Sequence, residues 1–189
     1  MRRLRSSLEE SYVRLISPAA VVLLLFIHIC APRSTATPTK QPCELPATLQ
    51  GELTKKYPAS HIVTLDDLDE YNRKLFRKFH GSHCPGIARV NFYGDGKRTW
   101  AVSLISGENP KRRAELLVAR ETATGWDIRS LDVTDGTPVV WREPPGAYEG
   151  MEMKKIHAKN SVIAYAGLGS WEVIYIWTGE KAEKVQILD

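Results

Sequence analysis

Residues 90–102 read Val-Asn-Phe-Tyr-Gly-Asp-Gly-Lys-Arg-Thr-Trp-Ala-Val, and the residue types on either side of the two glycines differ from those between them. The flanks are rich in β-branched and aromatic residues, as in short strands. Asp95-Gly96 at the centre is typical of a β-hairpin, because glycine adopts the positive φ that a tight turn requires. The stretch therefore predicts two antiparallel strands joined by a short turn.

A two-residue period continues from this hairpin to the C-terminus. The connections between its segments are short and often contain glycine, which favours antiparallel neighbours. We predict an α+β fold in which N-terminal helices pack on an antiparallel meander sheet of roughly seven to nine short strands. A short helix is expected at 48–56, and the strand-like segments are 61–64, 87–92, 100–105, 115–120, 126–131, 138–141, 151–157, 162–166, 172–177 and 184–188.

One strand in this series is apolar on both faces. In 172–177, Val173 and Tyr175 share one face, while Ile174 and Ile176 share the other. Such a strand is expected at the centre of the sheet, covered on both sides.

The N-terminal half contains a strong helix signal. Leu68, Tyr71, Leu75 and Phe79 recur at spacings of three and four, which predicts that they form the packed face of a helix. Acidic residues precede this segment and basic residues end it, in agreement with the helix dipole, and Gly81 is the expected stop.

The N-terminus is predicted to be a targeting segment. Arginines precede an apolar run that is short for a membrane span, so residues 1–36 are expected to be a signal peptide or a signal anchor. Residues 37–47 form a linker, and 48–189 a single α+β domain. Either alternative places the domain outside the membrane, in the periplasm or the extracellular space, with the N-terminal segment as its only membrane contact.

The charge of the chain lies mainly in that segment. Residues 1–36 contain five Arg and two Glu, whereas the whole chain has a net charge of +4. The remaining part is therefore close to neutral and lacks the clustered basic surface of a nucleic-acid-binding domain.

Export also predicts a disulfide. Cys30 belongs to the targeting segment, which leaves Cys43 and Cys84 to pair in an oxidising compartment. The bond would attach the proline-rich start of the domain to the end of the long helix.

The Asp95-Gly96 loop resembles the calcium loop of FG-GAP (integrin-type, or VCBS-like) repeats, in which alternate loop residues ligate calcium. The resemblance covers residues 90–102 and implies metal ligands at Asn91, Asp95 and Thr99, with Tyr93 at a further ligand position. Of these only Asp95 is a carboxylate, and calcium binds more tightly as carboxylates are added. The residues therefore favour a plain hairpin turn, and a calcium-stabilised structural module is an alternative.

A second group, His80-Gly81-Ser82-His83-Cys84, has side chains that could bind zinc or pair a thiolate with an imidazole. A Cys84 disulfide would remove the sulfur from either role. The chain also lacks G-x-S-x-G, H-E-x-x-H and S-x-x-K motifs, so we assign no catalytic residue and no cofactor.

Aromatic residues beside turns suggest a recognition surface. Trp141 and Tyr148 flank a Pro-Pro-Gly turn, and Tyr93 lies in the Asp95-Gly96 loop. Such residues provide large contact areas at low entropic cost. The leading hypothesis is an exported, non-enzymatic module that binds a protein or a cell-envelope component. The alternative to binding is a secreted hydrolase of unrecognised type that uses His80, His83 or acidic residues of the loops.

Overall fold

The computed structural model describes residues 43–108, 110–152 and 155–188. The predicted targeting segment, 1–36, and residues 37–42 of the predicted linker lie outside these ranges. No helix within them is long and apolar enough to cross a membrane. Their helices and strands are α1 (Ala47–Lys56), α2 (Glu70–His80), β1 (Ser60–Ile62), β2 (Ile87–Val90), β3 (Thr99–Ser106), β4 (Arg113–Thr122), β5 (Gly125–Asp135), β6 (Val139–Glu143), β7 (Gly146–Glu149), β8 (Lys155–Ala158), β9 (Val162–Gly167), β10 (Trp171–Trp177) and β11 (Ala182–Leu188).

The α+β prediction with antiparallel strands is confirmed, but the strands of the described residues form three sheets rather than one meander. The first sheet has the order β1-β3-β4-β5, and β2 pairs with β3 beside β1. The second has the order β11-β10-β9-β6, and β7 pairs with β8 alone. A two-residue period indicates only that a segment is extended. Which strands pair depends on which faces of each strand are covered, so the sequence pattern could not separate the sheets.

The first two sheets pack face to face. Ala88, Val118 and Leu116 of the first sheet meet Val140, Ile163 and Tyr175 of the second in one buried cluster. The outer face of the first sheet carries α1 through Leu49 and Leu53, and the outer face of the second is covered by the β7–β8 hairpin. Strand β10 lies between β9 and β11 with both faces buried, as predicted for a central strand.

The packed face of α2 differs from the predicted one. Phe76 is fully buried, whereas Tyr71 is 69% exposed and Phe79 is 66% exposed. The helix turns a face of mixed polarity inward, on which Arg73 donates hydrogen bonds to the carbonyls of Leu65 and Leu68 at 2.9 and 3.1 Å. Because this arginine satisfies backbone groups, it can occupy the packed side, and an apolar residue is displaced to the surface.

The β2–β3 connection is a hairpin, as expected, but with a longer loop. The two strands pair between Val90 and Thr99, so residues 91–98 lie outside the ladder. Gly94 and Gly96 both have a φ of 74°, and the side chain of Asp95 accepts a hydrogen bond from the Lys97 amide at 3.0 Å.

Cys43 and Cys84 form the predicted disulfide, with their Cα atoms 5.3 Å apart. Leu45, a residue of the predicted linker, is buried with α1 against the first sheet. The folded domain therefore includes the last residues of the predicted linker.

A polar bridge joins the two sheets at one side of the sandwich. Asp132, beside a register shift in the β4–β5 ladder, accepts hydrogen bonds from Tyr175 at 2.5 Å and from Lys184 at 2.7 Å. This bridge links β5 with β10 and β11, so the opposite side of the sandwich lies at β2 and β6.

Candidate binding site

A groove of about 530 Å³ runs along the side of the sandwich where β2 and β6 meet. Its volume is within the range of ligand sites. The floor is apolar, one wall is formed by the end of α2 and the residues after it, and charged side chains stand along β2 and β6. The lining residues are Phe79, His80, His83, Cys84, Ile87, Ala88, Arg89, Val140, Trp141, Arg142 and Glu143.

The groove forms because β2 and β6 approach each other without pairing as strands. The Val140 amide donates a hydrogen bond to the Pro85 carbonyl at 2.7 Å, and the described ladders contain no further β2–β6 pairing. Since antiparallel residues alternate in the direction of their backbone groups, Arg142 also turns its N–H and C=O away from β9. The same alternation applies to β2. The Gly86 carbonyl accepts a hydrogen bond from the Ser103 amide of β3, so the backbone N–H and C=O of the next residue, Ile87, point away from β3 and toward β6.

An aromatic stack holds α2 against β6. The His80 ring lies between Phe76, at a centroid distance of 4.8 Å, and Trp141, at 4.6 Å. The indole Nε1–H of Trp141 donates a hydrogen bond to Oε1 of Glu143 at 2.6 Å. Two side chains on the same face of β6 are thus fixed at the groove, which is the kind of preorganisation that lowers the entropic cost of binding.

The other residues of the His80–Cys84 segment extend this wall. His83 is exposed, and its Nδ1 forms a hydrogen bond with the carbonyl oxygen of His80. Phe79 projects its exposed ring beside them. The exposed apolar area of this ring would gain free energy if a ligand covered it.

The edges of the groove carry a positive charge. The guanidinium of Arg89 lies over the Trp100 ring at 5.1 Å, and both Arg89 and Arg142 are exposed. No carboxylate in the described ranges forms a salt bridge with either arginine. Glu143 is the single carboxylate among the lining residues.

The histidine in the stack is held neutral. Burial, and then the nearby His83, lower the pKa of His80 below its ordinary value of 6.5, while Glu143 acts in the opposite direction. At neutral pH the His80 imidazole is therefore an uncharged ring that packs between two aromatic side chains.

The disulfide determines what the His80–Cys84 segment can do. Cys84 lines the groove and is bonded to Cys43, so its sulfur is neither a metal ligand nor a nucleophile. Across residues 43–108, 110–152 and 155–188, no three His, Cys, Asp or Glu side chains are grouped in a way that could hold a metal ion.

The predicted calcium positions have other surroundings. Oδ2 of Asp95 forms an ion pair with the Arg120 guanidinium at 2.5 Å. Thr99 is fully buried at the start of β3. Asn91 is exposed in the loop. A guanidinium therefore takes the place of a cation at the single carboxylate of this set.

The three predicted recognition aromatics are not brought together at one surface. Trp141 lies in the groove, whereas Tyr93 packs edge-on against Trp177 at 4.8 Å and beneath Arg120. Tyr148 packs against the outer face of the second sheet, and its hydroxyl donates to the Pro144 carbonyl. Burial, and then the charge of Glu143, raise the pKa of Tyr148.

Sequence reasoning missed the exposed Phe79, the two arginines and the two strand edges. A signal for the edges was present, because Pro85 precedes β2, while Pro138 and Pro144 enclose β6. Proline cannot donate to a ladder, so these residues limit the length over which β2 and β6 can pair.

No protein-family model, curated protein or solved structure matches this chain.

Proposed function

We propose that this protein is an exported binding module and that its ligand is a protein, or another component of the cell envelope, held in the groove between β2 and β6. The observation that carries the proposal is the groove itself, where an exposed Phe79 and a fixed Trp141 stand beside two arginines that form no salt bridge with a carboxylate of the described ranges. Apolar contact area edged by unpaired charge is the composition of a recognition surface.

Two features support export. The N-terminal sequence has the order of a signal segment, and the Cys43–Cys84 disulfide is compatible with an oxidising compartment. The position of Cys84 adds a functional reason for that compartment, because the disulfide holds one wall of the groove.

Binding fits the groove better than hydrolysis does. Its described lining contains no serine or threonine, and its cysteine is in the disulfide. The carboxylate of Glu143 accepts a hydrogen bond from Trp141, and the His80 ring is enclosed by aromatic rings. A hydrolase would need to activate water through His83. The Nδ1 of that imidazole is hydrogen-bonded to the His80 carbonyl, and Glu143, the one carboxylate of the described lining, accepts a hydrogen bond from Trp141.

Site-specific photo-crosslinking in the cells that make the protein tests this function. A photoreactive benzoylphenylalanine replaces Phe79 in the groove, and the matched control replaces Tyr71, which is similarly exposed on the same helix but does not line the groove. We expect a discrete protein or envelope adduct from position 79 that is absent from position 71 and weakened by Arg142→Glu. Equal labelling at both positions, or no adduct at position 79, would contradict the proposal.

The hydrolase alternative has its own readout. Purified protein is incubated with peptide, ester and glycoside substrates, and turnover that disappears in His83→Asn would favour catalysis in the groove. We expect no turnover by either protein.

A further inference from the structure

We propose that the groove takes an extended acidic peptide segment, which adds as a strand to the free edge of β6. This inference rests on the proposed function and specifies the ligand of the same site. It depends on three properties of the groove: backbone groups that face outward, an apolar floor, and arginines that have no carboxylate partner among the residues that the structure describes.

The backbone of β6 supplies the docking edge. On its groove side, the Val140 amide is bonded to Pro85, and the next residue of the same orientation is Arg142. The N–H and C=O of Arg142, with the C=O of Val140, are therefore oriented to pair with an incoming strand. Main-chain hydrogen bonds of this kind give affinity in strand addition without requiring a particular side chain.

The dimensions limit the length of the peptide. Val139–Glu143 is five residues long, and Pro144-Pro145 ends the edge because proline has no amide to donate. Because the Val140 amide is already bonded to Pro85, the free part of the edge is 141–143, which is roughly 10 Å long at about 3.3 Å per residue and can pair with about three residues of the peptide.

The walls of the groove determine which side chains fit. Alternate residues of an added strand point to opposite sides, so one set would face the floor at Ala88 and Val140. This floor favours small or β-branched residues. Phe79 and Trp141 offer an apolar contact at one wall.

Charge complementarity selects an acidic segment. Arg89 and Arg142 stand at the edges of the groove and have no described carboxylate partner, and a guanidinium binds a carboxylate with two parallel hydrogen bonds. A lysine-rich segment would instead place like charges together, which costs binding free energy.

An array of synthetic peptides with six randomised central residues tests the ligand class, using the full exported protein as the probe. We expect the bound peptides to be enriched in Asp and Glu. For a selected acidic peptide, N-methylation of every second peptide amide should weaken binding at least about tenfold in fluorescence anisotropy, because it removes main-chain donors. Arg142→Glu in the protein should weaken binding by a similar factor. The matched control is Arg77→Glu, on the exposed end of α2 and outside the groove, which should change affinity less than about twofold.

Enrichment in Lys and Arg, no preference for charge, or affinity that survives N-methylation would overturn strand addition by an acidic peptide. So would binding to phosphatidylglycerol vesicles that is tighter than peptide binding and is lost in Arg142→Glu, because the groove would then be a lipid site. If position 79 crosslinks an envelope protein while the array shows no acidic preference, the binding function stands and this inference fails. If neither experiment gives a ligand, both fail.

Discussion

The imidazole of His80 lies against the indole of Trp141 with ring centroids 4.6 Å apart, and this contact joins the end of α2 to β6. The two residues are 61 positions apart in the chain. Their contact makes the helix end a wall of the groove, because Phe79 and His83 flank His80 on the same segment. The shape of the groove therefore depends on an aromatic stack whose central ring is titratable.

Acidification should weaken the fold through His80. Burial, and then His83, lower its pKa, so the unfolded state takes up this proton at a higher pH than the folded state. The contribution of neutral His80 to the free energy of unfolding is fully present above the ordinary pKa of 6.5. It is lost as the pH falls through the lower pKa of the folded state. Urea titrations at pH 7.5 and 5.5 should show a smaller free energy of unfolding at the lower pH.

His80→Phe should reduce this pH dependence, because phenylalanine keeps the stack with Phe76 and Trp141 but does not titrate. His83→Asn is the matched control and should leave most of the pH dependence in place, because burial is the larger cause of the shift. An unchanged difference between the two pH values in His80→Phe would show that another group is responsible.

The two buried tyrosines of the core should respond differently to loss of their hydroxyls. Tyr175 donates to the Asp132 carboxylate at 2.5 Å, so Tyr175→Phe should cost about 2 kcal/mol, as expected for a hydrogen bond to a charged group. No atom of the described ranges meets hydrogen-bond geometry with the buried hydroxyl of Tyr165, and the Ser103 hydroxyl beside it donates to the Pro138 carbonyl. Tyr165→Phe should therefore change stability by less than about 0.5 kcal/mol or increase it.

Urea unfolding of both variants at pH 7.5 gives the comparison. Equal losses would mean that Tyr165 has a partner of the same strength, or that the Tyr175–Asp132 bond contributes nothing to joining the sheets.

Much of the strand pattern followed from the sequence, but the groove did not. The central position of β10 was predictable because both faces of one short segment are apolar. The packed face of α2 was not predictable, because it includes Arg73, which donates hydrogen bonds to backbone carbonyls outside the helix. With Arg73 on the packed face, Phe79 lies at the surface. A groove formed by two strand edges depends on which sheets face each other, and a local period carries no information about that.

Removal of the disulfide should destabilise the domain and the groove together. The bond closes a separation of 41 residues, so on the chain-entropy model Cys43→Ser/Cys84→Ser should lose roughly 4 kcal/mol. Urea unfolding with and without a phosphine reductant measures the loss, and the double variant should be insensitive to the reductant. A wild-type protein that has two free thiols, or equal stability under both conditions, would contradict the assignment.

Calcium should not stabilise the β2–β3 loop. Asp95 is paired with Arg120, and Thr99 is fully buried, so the loop offers calcium little free carboxylate. Thermal unfolding with millimolar calcium or with a chelator should give melting temperatures within about 1 °C, whereas calcium at a hundred times its Kd would add about 2.7 kcal/mol. A rise of several degrees that Asp95→Asn abolishes would support the calcium-stabilised alternative.

Backbone amide exchange at β6 tests the groove most directly. Hydrogen exchange is followed by NMR for the full protein, alone and with a selected acidic peptide, at the neighbouring amides of Trp141 and Arg142. The Trp141 amide pairs with β9 and serves as the internal control, while the Arg142 amide faces the groove. We predict that the peptide slows exchange at Arg142 at least about tenfold more than at Trp141. Unchanged exchange at Arg142, with protection of amides on another surface, would contradict a binding site at this edge.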